Sequence, residues 1–315
     1  MISKRKLLAT AAALAAAATL GLGSAHAAEP YIPLISKGFQ HQFWQAVKAG
    51  AEKAGADYKV KVTFEGPETE QQVDKQMDML TAALAKKPAA IGFAALDSKA
   101  AIPLLKKAQA EKIPVIAFDS GVDSPIPVTT ATTDNVAAAG LAADKMAALI
   151  GGEGEVAVVA HDQTSTTGVG RRDGFVNRIK AKYPKIKVVD IQYGGGDHLK
   201  SAEIAKTLLL AHPKLKGIFG TNEGSAVGVG KGVKEAGKKV VIIGYDSGKD
   251  QKAMIMDGTI AGAITQNPVG IGYKTVEAAV KALKGEKLPK IIDTGFYWYD
   301  KTNMTDPKIA AVLYD

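Results

Sequence analysis

Carboxylate, amide and aromatic side chains follow several of the short apolar runs in this sequence. Asp119 and Asp246 each come directly after such a run, and Asn222 and Gln266 come close after two others. Carboxylates and amides can form paired hydrogen bonds to neighbouring hydroxyls, and aromatic faces can cover the C–H side of a ring. This set of groups is suited to an uncharged ligand that carries many hydroxyls.

The loop after the first apolar run adds a cationic group, an amide, an imidazole and two aromatic rings to this set. The candidate ligand-binding residues from the strand ends are Lys37, Gln40, His41, Phe43, Trp44, Asp119, Asn222, Asp246 and Gln266. A purely structural interpretation exists for each type: aspartates after strands are often turn residues, Asn222 can cap the next helix, and Phe43 can be a core residue. We interpret the group as a whole as a ligand site.

The elements that position these residues are predicted by alternation of short apolar runs with longer amphipathic stretches. Nine apolar runs rich in Val, Ile and Ala, from residues 31–35 to 261–265, show no polar alternation, which is typical of strands buried on both faces. Repeating strand–helix units predict an α/β fold with helices on both faces of parallel sheets. Because so many units exceed one compact domain, we expect two doubly wound, Rossmann-like lobes.

The lobe boundaries are predicted from breaks in the pattern. The N-terminal lobe is expected to comprise residues 28–133 plus 267–296, and the C-terminal lobe residues 134–266 plus 297–315. The chain would then cross between lobes near Thr133-Asp134, near Gln266-Asn267 and near Gly295-Phe296. In open parallel sheets ligands bind at the carboxyl ends of the strands, so the strand-end residues of both lobes should meet.

The N-terminus has the three parts of a secretory signal. Lys4, Arg5 and Lys6 precede an apolar stretch over residues 7–23, and the small-x-small sequence at 25–27 follows it. We expect cleavage after Ala27, which leaves a mature chain with a net charge of +5. This spread-out charge does not favour a nucleic-acid partner, and the chain is expected to be exported to the periplasm.

Catalytic and metal-binding motifs are weak in this sequence. The chain has 0 cysteines, which excludes thiolate metal sites, and its 5 histidines make a histidine-built metal site unfavoured. His161, Asp162 and Ser165 contain the residue types of a nucleophilic triad, but no G-x-S-x-G elbow surrounds the serine. The glycines at 228, 230 and 232 do not fit a phosphate-binding loop. We therefore expect a binding protein without cofactor or metal, not an enzyme.

Six ordered motifs resemble the type I periplasmic sugar-binding proteins of ABC transporters, the ribose-binding protein-like family. They cover nearly the whole mature chain and are the loop at 36–44, PVIAFD at 114–119, DN at 134–135, GTNE at 220–223, IGYD at 243–246 and QNPVGIG at 266–272. The resemblance implies two lobes that close like a hinge around a sugar and deliver it to an ABC-type permease. A monomer is expected.

Departures from the family pattern bear on the ligand. Ribose binders carry Asn near His41 and near Ala94, Arg in place of Ser120 and Phe in place of Gly196. Their second-lobe arginine falls near position 169, so Arg171 and Arg172 join the candidate ligand-binding residues. The absent Phe predicts a larger pocket, and we expect a hexose, a ketose or a sugar alcohol.

Alternatives to transport stay open at this point. The protein could be a receptor for a sugar-like signalling molecule or could present its ligand to a chemoreceptor. A sugar-converting enzyme on the same fold is the less favoured alternative. A lac-repressor-type regulator is excluded, because a signal peptide stands where its helix-turn-helix would be.

Overall fold

The computed structural model describes residues 29–315, so the predicted signal peptide at 1–27 lies outside the described residues. The elements in chain order are β1 (Tyr31–Ile35), α1 (Gln42–Tyr58), β2 (Lys61–Glu65), α2 (Val73–Ala85), β3 (Ile91–Phe93), α3 (Ile102–Ala110), β4 (Val115–Phe118), β5 (Thr129–Thr132), α4 (Asn135–Leu149), β6 (Gly154–Ala160), α5 (Thr166–Lys182), β7 (Ile186–Tyr193), α6 (His198–Ala211), β8 (Leu215–Gly220), α7 (Glu223–Glu235), β9 (Val241–Tyr245), α8 (Lys249–Met256), β10 (Gly262–Gln266), α9 (Pro268–Leu283), β11 (Ile291–Asp293), β12 (Phe296–Tyr299) and α10 (Pro307–Ala310).

The strands form two six-stranded sheets, which confirms the α/β fold of two lobes. The first sheet has the order β11-β5-β4-β3-β1-β2 and the second the order β12-β10-β9-β8-β6-β7. The two orders are the same once β1 is matched with β6 and β11 with β12. In each sheet the order changes direction beside the first strand, which is where doubly wound folds bind ligands.

Helices cover both faces of each sheet. On the first sheet, one apolar layer joins Leu34 and Ile116 to Trp44 of α1 and Val276 of α9. The opposite layer packs the same sheet against α2 and α3. The second sheet is likewise enclosed, by α4 and α5 on one face and by α6, α7 and α8 on the other. Strands buried on both faces explain why the apolar runs do not alternate with polar residues.

The chain passes between the two sheets three times in the described residues. These passages lie between β5 and α4, between β10 and α9, and between β11 and β12. Helix α9 follows the second passage and packs closely on α1, where a Cβ on Gly272 would lie 1.9 Å from the Val47 carbonyl oxygen. The region that follows Gln266 therefore packs with the first sheet.

Three strands were not predicted. β5 consists of Thr-Thr-Ala-Thr and β11 of only three residues, so neither gives an apolar run. β12 pairs with β10 in the antiparallel sense, at the edge of an otherwise parallel sheet. No helix within residues 29–315 combines the length and the apolar character needed to cross a bilayer.

Candidate functional site

A cavity lies between the two sheets, at the carboxyl ends of their strands. Side chains from both lobes fill most of it, and the free volume of about 10 Å³ is roughly what one water molecule needs. Its walls come from both lobes. The lining residues are Lys37, His41, Phe43, Trp44, Glu70, Asp119, His161, Thr167, Arg171, Asn222, Asp246 and Gln266.

Asp119 and Asp246 sit at the ends of β4 and β9 with a left-handed backbone. Their φ angles are 53° and 77°, a region that few residues other than glycine adopt and in which aspartate is enriched. The backbone N–H of each still donates to the neighbouring strand, to the carbonyl oxygens of Ala131 and Ile264. The sheet therefore continues up to each aspartate, and the left-handed turn begins there.

The two carboxylates differ in how they are held. Asp246 accepts hydrogen bonds from the Gln266 side chain at 2.7 Å and from the Glu223 backbone N–H at 3.1 Å. No hydrogen bond from a residue within 29–315 reaches the side chain of Asp119. Asp246 is therefore oriented by the protein, whereas the Asp119 carboxylate is available to a ligand on both oxygens.

Arg171 lies between the two aspartates. Its guanidinium nitrogens are 3.9 Å from one carboxylate oxygen of Asp119 and 3.9 Å from one of Asp246. Its donors reach the Asn135 side chain at 2.7 Å and the Thr221 carbonyl at 2.9 Å, and its plane lies 3.8 Å over the Tyr245 ring. Such a fixed, planar arrangement uses the geometry of arginine and not only its charge.

A second ionic group in the cavity surrounds Lys37. The Lys37 ammonium is 3.3 Å from the Thr167 hydroxyl and 3.5 Å from an Asp162 oxygen, so it reaches across to the second lobe. Glu70 accepts from the Trp44 indole at 2.7 Å and from the Asn222 amide at 3.4 Å. Asn222 also caps α7 through Ser225 N–H, so its two expected roles, cap and cavity wall, occur together.

The aromatic wall is formed by Phe43 and Trp44. Their rings are edge-to-face at 4.9 Å, and Trp44 also meets Phe118 edge-on at 6.4 Å. Both residues line the cavity and also belong to the buried core. Packing against Phe118 fixes the indole before any ligand arrives.

Two buried polar atoms on cavity-lining side chains have no hydrogen-bond partner within residues 29–315. These are Nδ1 of His41 and Oε1 of Gln266. The Gln40 amide nitrogen lies 2.9 Å from His41 Nε2, so in the neutral ring Nδ1 carries the proton and is an unpaired donor. Buried polar groups normally find partners, so these two atoms are an unpaired donor and an unpaired acceptor on side chains of the cavity wall.

Burial shifts the proton affinities of the cavity groups in different directions. Desolvation raises the pKa of Asp119 to about 6, although Lys37 and Arg171 oppose the shift. Desolvation also lowers the pKa of His161 well below its usual range, so its ring is neutral and bonds Thr221 and Thr167. For Glu70, burial is the largest effect and raises the pKa, but the nearby Lys37, the two histidines and the Trp44 hydrogen bond together outweigh it, so the pKa is lowered.

Nine of the eleven predicted site residues line this cavity, and two do not. Arg172 bonds Asp173 at 2.7 Å and the Tyr193 hydroxyl at 3.0 Å, away from the cavity, so of the two arginines only Arg171 lies in the wall. Gln40 stands behind the wall, where its amide joins His41 to the Gly196 carbonyl oxygen. Its position suits a supporting residue.

Sequence reasoning missed three cavity residues. His161 was considered only as a member of a nucleophilic triad. Thr167 and Glu70 were not considered. His161 directly follows β6, so the strand-end rule that found Asp119 would also have found it. Glu70 lies five residues beyond the end of β2, in a loop that the rule does not reach.

The expected enlargement of the pocket at Gly196 was wrong. A Cβ at this position would lie 2.9 Å from the Asn222 amide nitrogen and 3.1 Å from His41 Nε2. The space that a side chain would occupy is therefore filled by neighbouring residues. The glycine also has φ of 67°, which favours a residue without a side chain.

No cluster of three or more metal-ligating side chains occurs within the described part of the chain. Arg171 approaches the carboxylates of Asp119 and Asp246, and the charge of Lys37 acts on Glu70. The arrangement can therefore hold a ligand by hydrogen bonds and stacking.

Comparison with known proteins agrees with this geometry. The family model described as "Periplasmic binding protein domain" matches residues 32–287. The chain belongs to this family. Among curated relatives of this periplasmic binding protein, the ribose import binding protein of Salmonella typhimurium is 30% identical over 289 residues, which cover 91% of this chain and 95% of the relative.

Two solved structures are closely similar. A carbohydrate transporter solute binding protein from Agrobacterium radiobacter, in complex with D-arabinose, shares 38% identity at a TM-score of 0.88 and covers 91% of this chain and 100% of its own. An ABC transporter solute binding protein from Agrobacterium vitis, with bound D-fucose, shares 36% identity at a TM-score of 0.87. The match covers 90% of this chain and 100% of that protein's chain.

Proposed function

We propose that this periplasmic binding protein captures one uncharged monosaccharide or polyol between its lobes and delivers it to an ABC-type permease. The observation that carries the proposal is the pair Asp119 and Asp246, one from each lobe, at the wall of one small cavity. Each ionised carboxylate accepts hydrogen bonds from hydroxyls, and such bonds contribute ~1.5–3 kcal/mol each. Neither lobe alone supplies both.

The charges of the wall favour a neutral ligand. The cations Lys37 and Arg171 face the three carboxylates of Glu70, Asp119 and Asp246, and the two histidines are neutral. An anionic sugar would add a charge to a wall that already carries more carboxylates than cations. A sugar without charge offers hydroxyl donors to these carboxylates and acceptors to the unpaired His41 Nδ1.

The comparisons support a small neutral sugar as the ligand class. The similar proteins carry D-arabinose and D-fucose or are named for ribose import, and all are named as binding proteins of transport systems. These names support transport over catalysis. Export through the predicted signal peptide to the periplasm agrees with the periplasmic family to which the chain belongs.

The lobes are proposed to close on the ligand about the three passages of the chain. Cavity groups from both lobes already touch across the cleft, as Lys37 does with Thr167 and Asn222 with Glu70. A ligand that contacts both lobes favours this closed form by its differential affinity for it. The permease would then recognise the closed pair of lobe faces.

A thermal-shift screen tests the proposal. The panel contains D-ribose, D-allose, D-arabinose, D-fucose, D-tagatose and sorbitol, with D-glucuronate as an anionic control. A ligand at ~100 times its Kd adds ~2.7 kcal/mol to the free energy of unfolding, which raises the melting temperature by roughly 5 °C or more. We expect at least one neutral member to do so and D-glucuronate to have no effect. A panel without any shift would refute the proposed ligand class.

A further inference from the structure

Helix α1 of the first lobe has no N-terminal cap of its own. Its N-cap residue, His41, makes no side-chain capping bond, and the first turn contains no acidic residue. The N–H groups of Gln42 and Phe43 instead donate to the two side-chain carboxyl oxygens of Glu223, each at 3.2 Å. Glu223 belongs to the second lobe, so a residue from across the cleft supplies the acceptors that this helix end requires.

Helix α8 of the second lobe is in turn capped by a residue of the first lobe. Its N-cap residue is Gly248, which has no side chain with which to accept a hydrogen bond. The Lys249 N–H donates to the Gln42 side-chain oxygen at 2.7 Å. Gln42 therefore donates its own N–H to the second lobe and accepts from it through its side chain.

Gly248 permits this arrangement. A Cβ at this position would lie 2.9 Å from the Glu223 carboxyl carbon and 3.1 Å from the Gln42 side-chain oxygen. Any larger residue would push against both capping groups. The φ of 84° also disfavours other residues here.

These contacts adjoin the cavity without forming part of its wall. The Glu223 backbone N–H holds Asp246, and the Phe43 ring is in the wall, whereas the side chains of Glu223 and Gln42 are not. Burial next to Asp246 raises the pKa of Glu223 to about 8, opposed by the Gln42 and Phe43 N–H groups. The carboxyl is thus desolvated between the lobes, where the helix end is its main compensation.

We propose that Gln42 and Glu223 form a reciprocal latch, in which each lobe caps a helix of the other, and that this latch sets the ratio of closed to open protein. It acts on closure and does not touch the ligand. The inference goes beyond the proposed function, because the closed-to-open ratio can be measured with or without a sugar.

Spin labels on the two lobes measure this ratio. The chain contains no cysteine, so Lys75→Cys and Lys200→Cys, both at exposed positions, give one label on each lobe. Double electron–electron resonance then reports short and long distances, without sugar and with D-fucose or D-arabinose at a fixed concentration. We expect Gln42→Ala and Glu223→Ala each to lower the short-to-long ratio at least threefold, of the order of a lost helix cap.

Matched controls distinguish the latch from general effects of substitution. Gln45→Ala changes an exposed glutamine of the same helix α1, and Glu235→Ala changes an exposed glutamate at the far end of α7. Both should leave the ratio unchanged. Gly248→Ala should lower it, whereas Gly258→Ala should not, because Gly258 has a similar φ of 82° but no atom within 4 Å of the added Cβ.

The outcomes separate this proposal from the proposed function. Ratios equal to wild type in both Gln42→Ala and Glu223→Ala overturn the latch, as does a wild-type protein that never shows the short distance. A wild type with a populated short distance that none of the sugars changes counts against the sugar proposal and leaves the latch to be judged from the sugar-free ratios.

Discussion

Asp119 and Asp246 occupy equivalent positions in the two lobes. Each follows the fourth strand of its sheet, each has a positive φ, and a carboxylate oxygen of each lies 3.9 Å from a guanidinium nitrogen of Arg171. The same local structure has thus been built twice, and one arginine joins the two copies. The relationship explains why the cavity requires both lobes.

Arg171 and Arg172 should differ sharply in their effect on binding. Arg171→Lys removes the planar fork whose nitrogens approach both aspartates and its contact with the Tyr245 ring, and it leaves the two aspartates poorly compensated. We expect sugar affinity to fall at least about tenfold, at 1.4 kcal/mol per tenfold. Arg172→Lys should change affinity less than about twofold, because its partners lie outside the cavity. Calorimetry on both variants checks this, and equal effects would contradict the assignment of Arg171.

Asp119 should make the stability of the sugar-free protein dependent on pH. Its pKa in the folded protein is about 6, above the ordinary value of about 4 in an unfolded chain, because burial disfavours the charged form. The stability that the bound proton contributes is complete below about pH 4 and is lost as the pH rises through about 6. Asp119→Asn, which tolerates the left-handed backbone, does not undergo this loss.

The stability of Asp119→Asn relative to wild type should therefore increase as the pH rises through this window. We expect the difference in the free energy of unfolding to move by about 1–3 kcal/mol in favour of Asp119→Asn between pH 4 and pH 7. Urea denaturation at several pH values measures it. Asp123→Asn changes an exposed aspartate of the same lobe and should show no such trend. A difference independent of pH would show that Asp119 is not desolvated.

Trp44 should report the ligand by fluorescence. The chain has 2 tryptophans, so Trp298→Phe leaves Trp44, which is 1% exposed and lines the cavity, as the only one. A sugar against the indole should shift or quench its emission in a saturable way. The reverse variant, Trp44→Phe, retains Trp298, whose indole bonds Asp300 outside the cavity, and should respond weakly. No change in the Trp298→Phe protein at saturating sugar would argue against stacking.

The sequence predicted the fold and most of the site because both follow from local patterns. Strands buried on both faces appear as apolar runs, and the residue after such a run reaches the ligand edge of a parallel sheet, as with Asp119 and Asp246. β5 was missed because its Thr-rich sequence is not an apolar run. Glu70 was missed because a loop, and not a strand end, carries it to the cavity.

Other features depend on contacts between lobes that no local pattern encodes. Arg171 and Arg172 are adjacent and of the same type, and only the direction of helix α5 decides which one faces the cavity. The effect of Gly196 was misjudged because the space beside it is filled by His41 and Asn222, which are distant in sequence. The reciprocal capping by Gln42 and Glu223 is invisible for the same reason.

Calorimetric titration with the sugar that gives the largest melting shift tests the central claim most directly. We expect one sugar per wild-type chain and, for Asp246→Ala, affinity at least about 30-fold weaker, since two hydrogen bonds to a charged group are lost. Asp119→Ala should have a comparable effect from the other lobe. Asp250→Ala, an exposed aspartate four residues further on, is the matched control and should bind as wild type does. A loss of less than about threefold in either cavity variant, with the fold intact, would contradict capture between the two lobes.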